Sequence, residues 1–164
     1  MMHRWQLLCA LTGFWLAGVS ATARMEAQTR GGVSLGMQAA YNFDDLMEPA
    51  LGGHVLVGLP AGFALCGGVQ SYFVTSGNLW RMSATLQWAP QGSTLAPYVG
   101  VGPYWTRSSA AGGVSQTDMG FIGQVGAEAR LRIAQPFAEL QLLKDGALSA
   151  EFGAGFRLVL VTRK

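Results

Sequence analysis

The sequence is poor in charged residues, and above all in lysine. Only 12% of its 164 residues are charged, and lysine occurs twice, at Lys144 and Lys164. Soluble domains carry roughly a quarter charged residues, so this composition is unusual for a surface that faces water. The formal net charge is +2 and no basic run is present, which disfavours nucleic acid as a partner because phosphates are bound by clustered Lys and Arg.

Cysteine and histidine are too few for a disulfide framework or a metal centre. Of the two cysteines, Cys9 falls in the apolar N-terminal run, which leaves Cys66 without a second cysteine. His54 is the one histidine beyond the first few residues. Transition-metal sites need several convergent His, Cys or carboxylate ligands. We therefore predict no metal and no cofactor, and we interpret Cys66 as a small lining residue.

The N-terminus has the three regions of an export signal. "MMHR" supplies a basic start, "WQLLCALTGFWLAGV" an apolar middle and "ATA", ending at Ala23, a cleavage site. The apolar run is shorter than the roughly 20 residues that a membrane-spanning helix needs, which disfavours a retained anchor. We predict a signal peptide over residues 1–23, cleaved after Ala23 or alternatively after Ala27, and a short segment over 24–31.

Helical periodicity is missing beyond this segment, and an alternation with a period of two replaces it. In "LWRMSATLQWAP", which begins at Leu79, apolar residues alternate with arginine, serine, threonine and glutamine. Eight such segments of roughly ten residues follow one another between Gly32 and Leu160, separated by turn-forming residues. The pattern predicts an all-β chain: an eight-stranded antiparallel up-and-down barrel over residues 32–160, followed by a tail at 161–164.

The predicted connections differ in length between the two ends of the barrel. One end has the short segments "AG", "PQGST" and "IAQ", and the other has "DDLMEP", "TSGN", "KDG" and the longest, Thr106 to Thr117. Transmembrane barrels have short periplasmic turns and longer external loops. We therefore predict that Thr106–Thr117 is the main external loop.

Alternation alone fits two kinds of barrel. A soluble, lipocalin-like barrel encloses its apolar face around a ligand, whereas a membrane barrel exposes that face to lipid. Here the polar face consists mainly of small residues, which suit a narrow eight-stranded interior. Trp80 and Trp88 stand about 26 Å apart along one strand at roughly 3.3 Å per residue. With a tilt near 40° that is about 20 Å of height, close to the roughly 25 Å apolar band that aromatic girdles flank. A membrane barrel is therefore favoured, and its predicted lipid-facing girdle consists of Phe63, Phe73, Trp80, Trp88, Trp105, Phe121 and Phe156.

Several segments resemble one family of barrels. "PYVGVGPYW", "GFIGQVGAEARL", "PFAELQL" and "EFGAGFRLVL" look like the OmpA/OmpX-like and opacity-type small outer-membrane barrels, and the resemblance covers the chain after the signal peptide. It implies a monomeric eight-stranded barrel in the outer membrane of a Gram-negative bacterium, surrounded by outer-membrane lipid and inserted by the outer-membrane assembly machinery. Such barrels usually end on an aromatic residue, whereas this last strand ends at Leu160, with Phe156 as a substitute.

Six charged residues share the polar face and are predicted to lie in the lumen: Arg81, Glu128, Arg130, Glu139, Glu151 and Arg157. Counting from the short-turn end places Arg130, Glu139 and Arg157 at similar heights on neighbouring strands, so we expect a buried ion cluster there. Glu128 and Glu151 are expected just above it. Such pairs would plug the lumen, because an unpaired buried charge is costly. A gate or ion path is the alternative, disfavoured because eight strands leave no open channel.

No residue pattern indicates catalysis. Small-barrel lipid A deacylases and palmitoyltransferases share this architecture, but acyl transfer needs a nucleophile beside a base, and His54 has no serine close in sequence. Asp44, Asp45 and Glu48 are interpreted as part of a solvated loop, with weak cation binding at the surface as the disfavoured alternative. We expect an integral, non-enzymatic outer-membrane protein that acts in envelope integrity or surface contact. The alternatives are a soluble secreted barrel that binds an apolar ligand and a lipid-modifying outer-membrane enzyme.

Overall fold

The chain folds into eight long strands joined by short connections. The computed structural model describes residues 32–43, 48–74, 77–109 and 115–162. The predicted signal peptide and the segment that follows it lie outside these ranges. The strands are β1 (Gly32–Asn42), β2 (Pro49–Gly58), β3 (Phe63–Tyr72), β4 (Asn78–Trp88), β5 (Leu95–Ser109), β6 (Ser115–Ala129), β7 (Ala134–Lys144) and β8 (Leu148–Thr162).

The strands form one closed antiparallel barrel in sequence order, which confirms the predicted fold class. Each strand pairs with the next, and β8 returns to pair with β1. The apolar–polar alternation explains this closure, because a sheet with one face of each kind can separate the two completely by curling into a cylinder. Among the residues described, no helix is long and apolar enough to cross a membrane.

The β2–β3 turn shows how tightly the strands are joined. It is a single 3-10 turn over Pro60–Gly62, closed by a hydrogen bond from the Leu59 N–H to the Phe63 carbonyl at 2.8 Å. Gly62 has a φ of 82°, a conformation that favours glycine. A Cβ at this position would also overlap the Ala89 carbonyl, so glycine is required here on both counts.

The predicted loop at Thr106–Thr117 is mostly strand, which corrects the sequence interpretation. β5 continues to Ser109 and β6 begins at Ser115, with Arg107 paired to Thr117. The segment reads as a loop because it is polar, but a polar hairpin can pair through its backbone once it extends beyond the apolar band. The connections at the two ends are consequently similar in length. β8 also runs to Thr162, two residues beyond the expected end of the barrel.

The two ends of the barrel are distinguished by other features. The terminal end carries the start of β1 and the end of β8, and the hairpin end carries the extended β5–β6 hairpin. β6 starts to pair with β7 only at Phe121, so the hairpin rises above the neighbouring β7–β8 turn.

The exterior is apolar and the interior is polar. On β4, Trp88 is 44% exposed whereas the adjacent Gln87 is 1% exposed, and on neighbouring strands Val101 is 61% exposed and Glu128 1%. A lipocalin-like barrel would show the reverse arrangement. The apolar face therefore points outward, as expected for a membrane barrel. A barrel with an internal apolar ligand pocket would have the opposite arrangement.

Apolar side chains interrupt the polar interior at several positions. Phe137 and Leu143 on β7, which break the alternation in sequence, both point inward and are buried. Leu143 packs with Tyr104 and Ile122, while Ala40, Ala50 and Tyr72 form a second cluster. Both clusters lie in the half of the lumen nearer the hairpin end.

Candidate functional site

Among the residues that the structure describes, chemistry-bearing side chains converge in the lumen. The structure places all six predicted charged residues inside the barrel, each at most 4% exposed. They reach this position because every second residue of a strand points to the same face. Five of them form two groups of salt bridges, one nearer each end of the barrel, rather than one cluster. The sixth, Glu139, is hydrogen-bonded to Gln141.

The upper network, nearer the hairpin end, is centred on Arg81 and Glu151. Their side chains form a salt bridge of 2.6 Å between Nη2 and Oε1. The Tyr72 hydroxyl donates to Glu151 Oε2 at 2.6 Å, and Gln70 Nε2 donates to Oε1 at 3.2 Å. Arg81 donates in turn to Gln70 and to the Gln141 side-chain oxygen. The network therefore joins β3, β4, β7 and β8 across the lumen.

The lower network, nearer the terminal end, is centred on Glu128. Its Oε2 accepts from Arg157 Nη1 at 2.6 Å and its Oε1 from Arg130 Nε at 3.0 Å. Arg130 Nη1 also donates to the Pro90 carbonyl at 2.9 Å. The Arg157 guanidinium lies 4.2 Å from the centroid of the Phe137 ring, a distance at which cation–π attraction adds to the ion pair.

Glu139 takes part in none of the three salt bridges, which corrects the predicted cluster. It accepts a hydrogen bond of 2.5 Å from the Tyr98 hydroxyl and one of 2.6 Å from Gln141 Nε2. The reason is register: Arg157 is paired with Gln135 on β7, so Glu139 lies four residues farther along that strand. Counting residues from the short-turn end of the barrel does not take this shift in register between strands into account. Glu128 takes the place that the sequence assigned to Glu139.

A small polar cavity of ≈ 20 Å³ lies between the two networks. Glutamines from β1, β3, β4, β6 and β7 line it, together with His54, Cys66, Ser83, Glu139 and Arg157. Its volume corresponds to about one water molecule. The cavity can accommodate a water that bridges the amides, but nothing approaching the size of a lipid or a metabolite.

His54 and Cys66 both point into the lumen. His54 Nε2 accepts a hydrogen bond of 3.0 Å from Arg157 Nε, and its ring contacts Phe137 edge to face at 5.2 Å. Cys66 is half-buried and is not in a disulfide. Within the described ranges, no three His, Cys, Asp or Glu side chains come together as a metal site. Asp44 and Asp45 lie outside those ranges.

The hydrogen-bonding partners of the charged groups are the residues that sequence reasoning missed. Tyr72 and Tyr98 each donate to a buried carboxylate, and Gln70 and Gln141 complete the upper network. All four lie on the polar face by alternation, so parity could have marked them as lumen residues. Which carboxylate each one reaches depends on cross-strand register, which the sequence does not display.

Comparison with known proteins identifies the fold. No protein-family model and no curated protein matches the chain. Among solved structures, Neisserial surface protein A is similar, with a TM-score of 0.64 and 17% identity over 78% of this chain and 96% of that one. The chain has the fold of the small eight-stranded outer-membrane β-barrels.

Two further structures support this assignment of the fold. The N-terminal β-barrel domain of Pseudomonas aeruginosa OprF has a TM-score of 0.60 and 18% identity over 81% of this chain and 100% of that one. Ail of Yersinia pestis has a TM-score of 0.50 and 14% identity over 82% and 99%. The resemblance inferred from "PYVGVGPYW" and the related segments is thus confirmed as one of fold.

In a small outer-membrane barrel, aromatic residues are expected in two belts. Phe63 pairs with Trp88 near the terminal end, and Phe156 lies on the same side. The other predicted girdle residues lie nearer the hairpin end: Phe73, Trp80, Trp105 and Phe121. Trp105 is half-buried, and the other six are between 40% and 67% exposed. The chain thus presents aromatic side chains at both edges of its apolar band.

Proposed function

We propose that the protein is an integral outer-membrane β-barrel whose own side chains close its lumen, and that it supports envelope integrity without catalysis. The proposal rests on an apolar exterior and a charged interior, the reverse of a soluble barrel. Trp88 and Val101 are exposed, while Arg157 and Glu151 are buried. Exposed charges belong in water and exposed aromatic belts in lipid. A closed ladder also leaves no unpaired strand edge within the apolar band. This matters because backbone N–H and C=O groups in hydrocarbon need partners within the protein.

The two networks support a closed lumen. Arg81 crosses from β4 to reach Glu151 on β8, and Arg157 crosses from β8 to Glu128 on β6. Opening a continuous channel would break these bonds and leave buried charges unpaired, at a cost of several kcal/mol each. Eight strands leave a cylinder just wide enough for side chains.

The environment of His54 supports a non-enzymatic role over lipid modification. A catalytic base must accept the proton of a nucleophile, but His54 Nε2 already accepts from Arg157. The cavity beside it has a volume of ≈ 20 Å³, too small for an acyl chain.

The proposed partners follow from the surface. Lipid covers the apolar band, and the outer-membrane assembly machinery inserts the chain after export by its signal peptide. β1 and β8 pair along their length, which supports a monomer because neither strand offers an edge to a second copy.

A second role, contact with other molecules at the cell surface, is favoured by the β5–β6 hairpin. Its β6 arm, Ser115–Gly120, pairs with β5 but has no strand partner on its other side among the described residues. Ser115 to Met119 are all exposed. An unpaired edge can accept an extended peptide as an additional strand, so this hairpin is the part of the fold best suited to binding.

Cysteine labelling in membranes tests the central proposal. Leu86 is predicted to face lipid and the adjacent Thr85 the lumen; they are 44% and 2% exposed. In a Cys66→Ala background, we expect Leu86→Cys to react with a membrane-soluble maleimide and Thr85→Cys to stay protected until the barrel is unfolded. Unboiled, detergent-folded protein should migrate differently from boiled protein on a gel. Release of the protein by carbonate without detergent would overturn the proposal.

A further inference from the structure

One hydrogen bond inside the barrel passes over a whole strand. In the ladder that closes the barrel, Gly36 of β1 is paired with Arg157 of β8 on one side and with His54 of β2 on the other. Arg157 Nε nevertheless donates directly to His54 Nε2 at 3.0 Å. Strands two positions apart are separated by about 9.6 Å at 4.8 Å per step, so the two side chains meet above β1.

Gly36 makes this contact possible. A Cβ at residue 36 would lie 2.5 Å from His54 Cε1 and 2.9 Å from Arg157 Cγ, and closer still to the Nε2 atom that accepts the bond. The neighbouring inward-facing residues of β1 are Ser34 and Gln38, which carry side chains into the same space. Because Gly36 has no side chain, side chains of β2 and β8 can contact each other across β1 at this position.

Both partners are held in place by groups outside the seam. Glu128 on β6 fixes the Arg157 guanidinium at 2.6 Å. Phe137 on β7 contacts the guanidinium face and, edge to face, the His54 ring. The bond is thus the last step of a chain of contacts that runs from β6 over β7, β8 and β1 to β2.

We propose that the Arg157–His54 hydrogen bond, which we call the seam latch, holds the barrel closed across β1 and selects the β1–β8 register. β1 and β8 are the first and last strands of the barrel, so their ladder can separate while every hairpin stays intact. The latch forms only when β1 lies between β2 and β8. A slip of two residues in the β1–β8 ladder would pair Arg157 with Ser34 or Gln38, while His54 stays opposite Gly36 in the β1–β2 hairpin. The two side chains would then be displaced by about 7 Å along the strands, and the contact would be lost. The latch therefore couples closure of the barrel to a single register.

Hydrogen exchange of the detergent-folded protein, resolved by strand, tests the latch. We expect Gly36→Ala and His54→Ala to raise exchange of the β1 amides by about tenfold or more, with little change in β4 and β5, because hydrogen bonds to charged groups are among the stronger ones. His54→Gln retains an acceptor and should largely preserve protection. Gly68→Ala is the matched control: Gly68 flanks His54 on β3, and a Cβ there would lie 3.4 Å or more from its neighbours.

The outcomes separate the latch from general packing. Selective loosening of β1 by Gly36→Ala and His54→Ala, but not by Gly68→Ala, supports it. Equal loosening of all strands, or unchanged exchange in β1 with His54→Ala, overturns it. If Gly36→Ala does not fold, the double variant Gly36→Ala/His54→Ala decides: recovery of the fold with fast β1 exchange supports the latch, and no recovery overturns it.

Discussion

The Arg81 guanidinium and the Glu151 carboxylate meet at 2.6 Å, although their strands, β4 and β8, are separated by three others on either side of the barrel. The pair therefore ties opposite walls together. Neither side chain is more than 3% exposed, so their charges are compensated by each other and by hydrogen bonds with Gln70, Tyr72 and Gln141 rather than by water.

The losses of stability from removing each member of this pair should not add. Glu151→Ala leaves Arg81 buried without its carboxylate, and we expect a loss of about 3–5 kcal/mol in the free energy of unfolding. Arg81→Met combined with Glu151→Leu should cost less than the sum of the two single changes. Urea unfolding in lipid vesicles, followed by tryptophan fluorescence, measures both. Additive losses would show that the two residues do not act as a pair.

A charge on the exterior should be tolerated according to depth. Val101 lies in the middle of β5 and is 61% exposed, so Val101→Arg is expected to destabilise the folded protein in vesicles by about 2–4 kcal/mol. Leu148 begins β8 at the hairpin end, and Leu148→Arg should cost at most about 1 kcal/mol. Equal effects of the two substitutions would contradict the assignment of Val101 to the membrane interior.

Two glycines of β6 should respond oppositely to alanine. A Cβ at Gly126 would lie 2.6 Å from the Ala138 carbonyl and 2.7 Å from the Tyr98 ring, whereas one at Gly123 meets nothing within 4 Å. Gly126→Ala is expected to destabilise by about 1–3 kcal/mol because it displaces Tyr98. Gly123→Ala should be neutral or stabilising by up to about 1 kcal/mol, because it restricts the unfolded chain. Thermal unfolding in detergent compares them directly, and a larger loss for Gly123→Ala would be inconsistent with the packing described.

A barrel with a closed lumen should not conduct ions. In planar bilayers containing concentrated KCl, the wild-type protein should show no sustained single-channel steps. The reason is that Arg81, Gln141 and Glu151 occupy the lumen in the upper network, and Glu128 and Arg157 occupy it in the lower network. Detergent buffer without protein serves as the blank and an open porin as the positive control. Stable, reproducible conductance from heat-modifiable protein would show that the lumen is not closed by these residues.

The faces of the strands could be predicted from the sequence, and the contacts between strands could not. Trp80 and Trp88 lie outside and Arg81 and Gln87 inside because parity depends on a single strand. Glu139 was assigned to the wrong partners because a contact between β7 and β8 depends on register and tilt. Phe137 and Leu143 interrupt the apolar–polar alternation in sequence, but both pack inside the lumen. There the Phe137 ring lies against the Arg157 guanidinium. Polarity at Arg107–Thr117 indicates exposure to water, but it does not distinguish a loop from a paired hairpin.

Seventy residues of sequence separate Arg81 from Glu151, and this distance has a consequence for biogenesis. Their bond cannot form until the whole second half of the polypeptide is in place. In the proposed route of export and membrane insertion, both groups would stay hydrated until then, which would counter association of the many aromatic side chains. The charged groups that are buried in the folded barrel would thus help to keep the chain soluble before insertion.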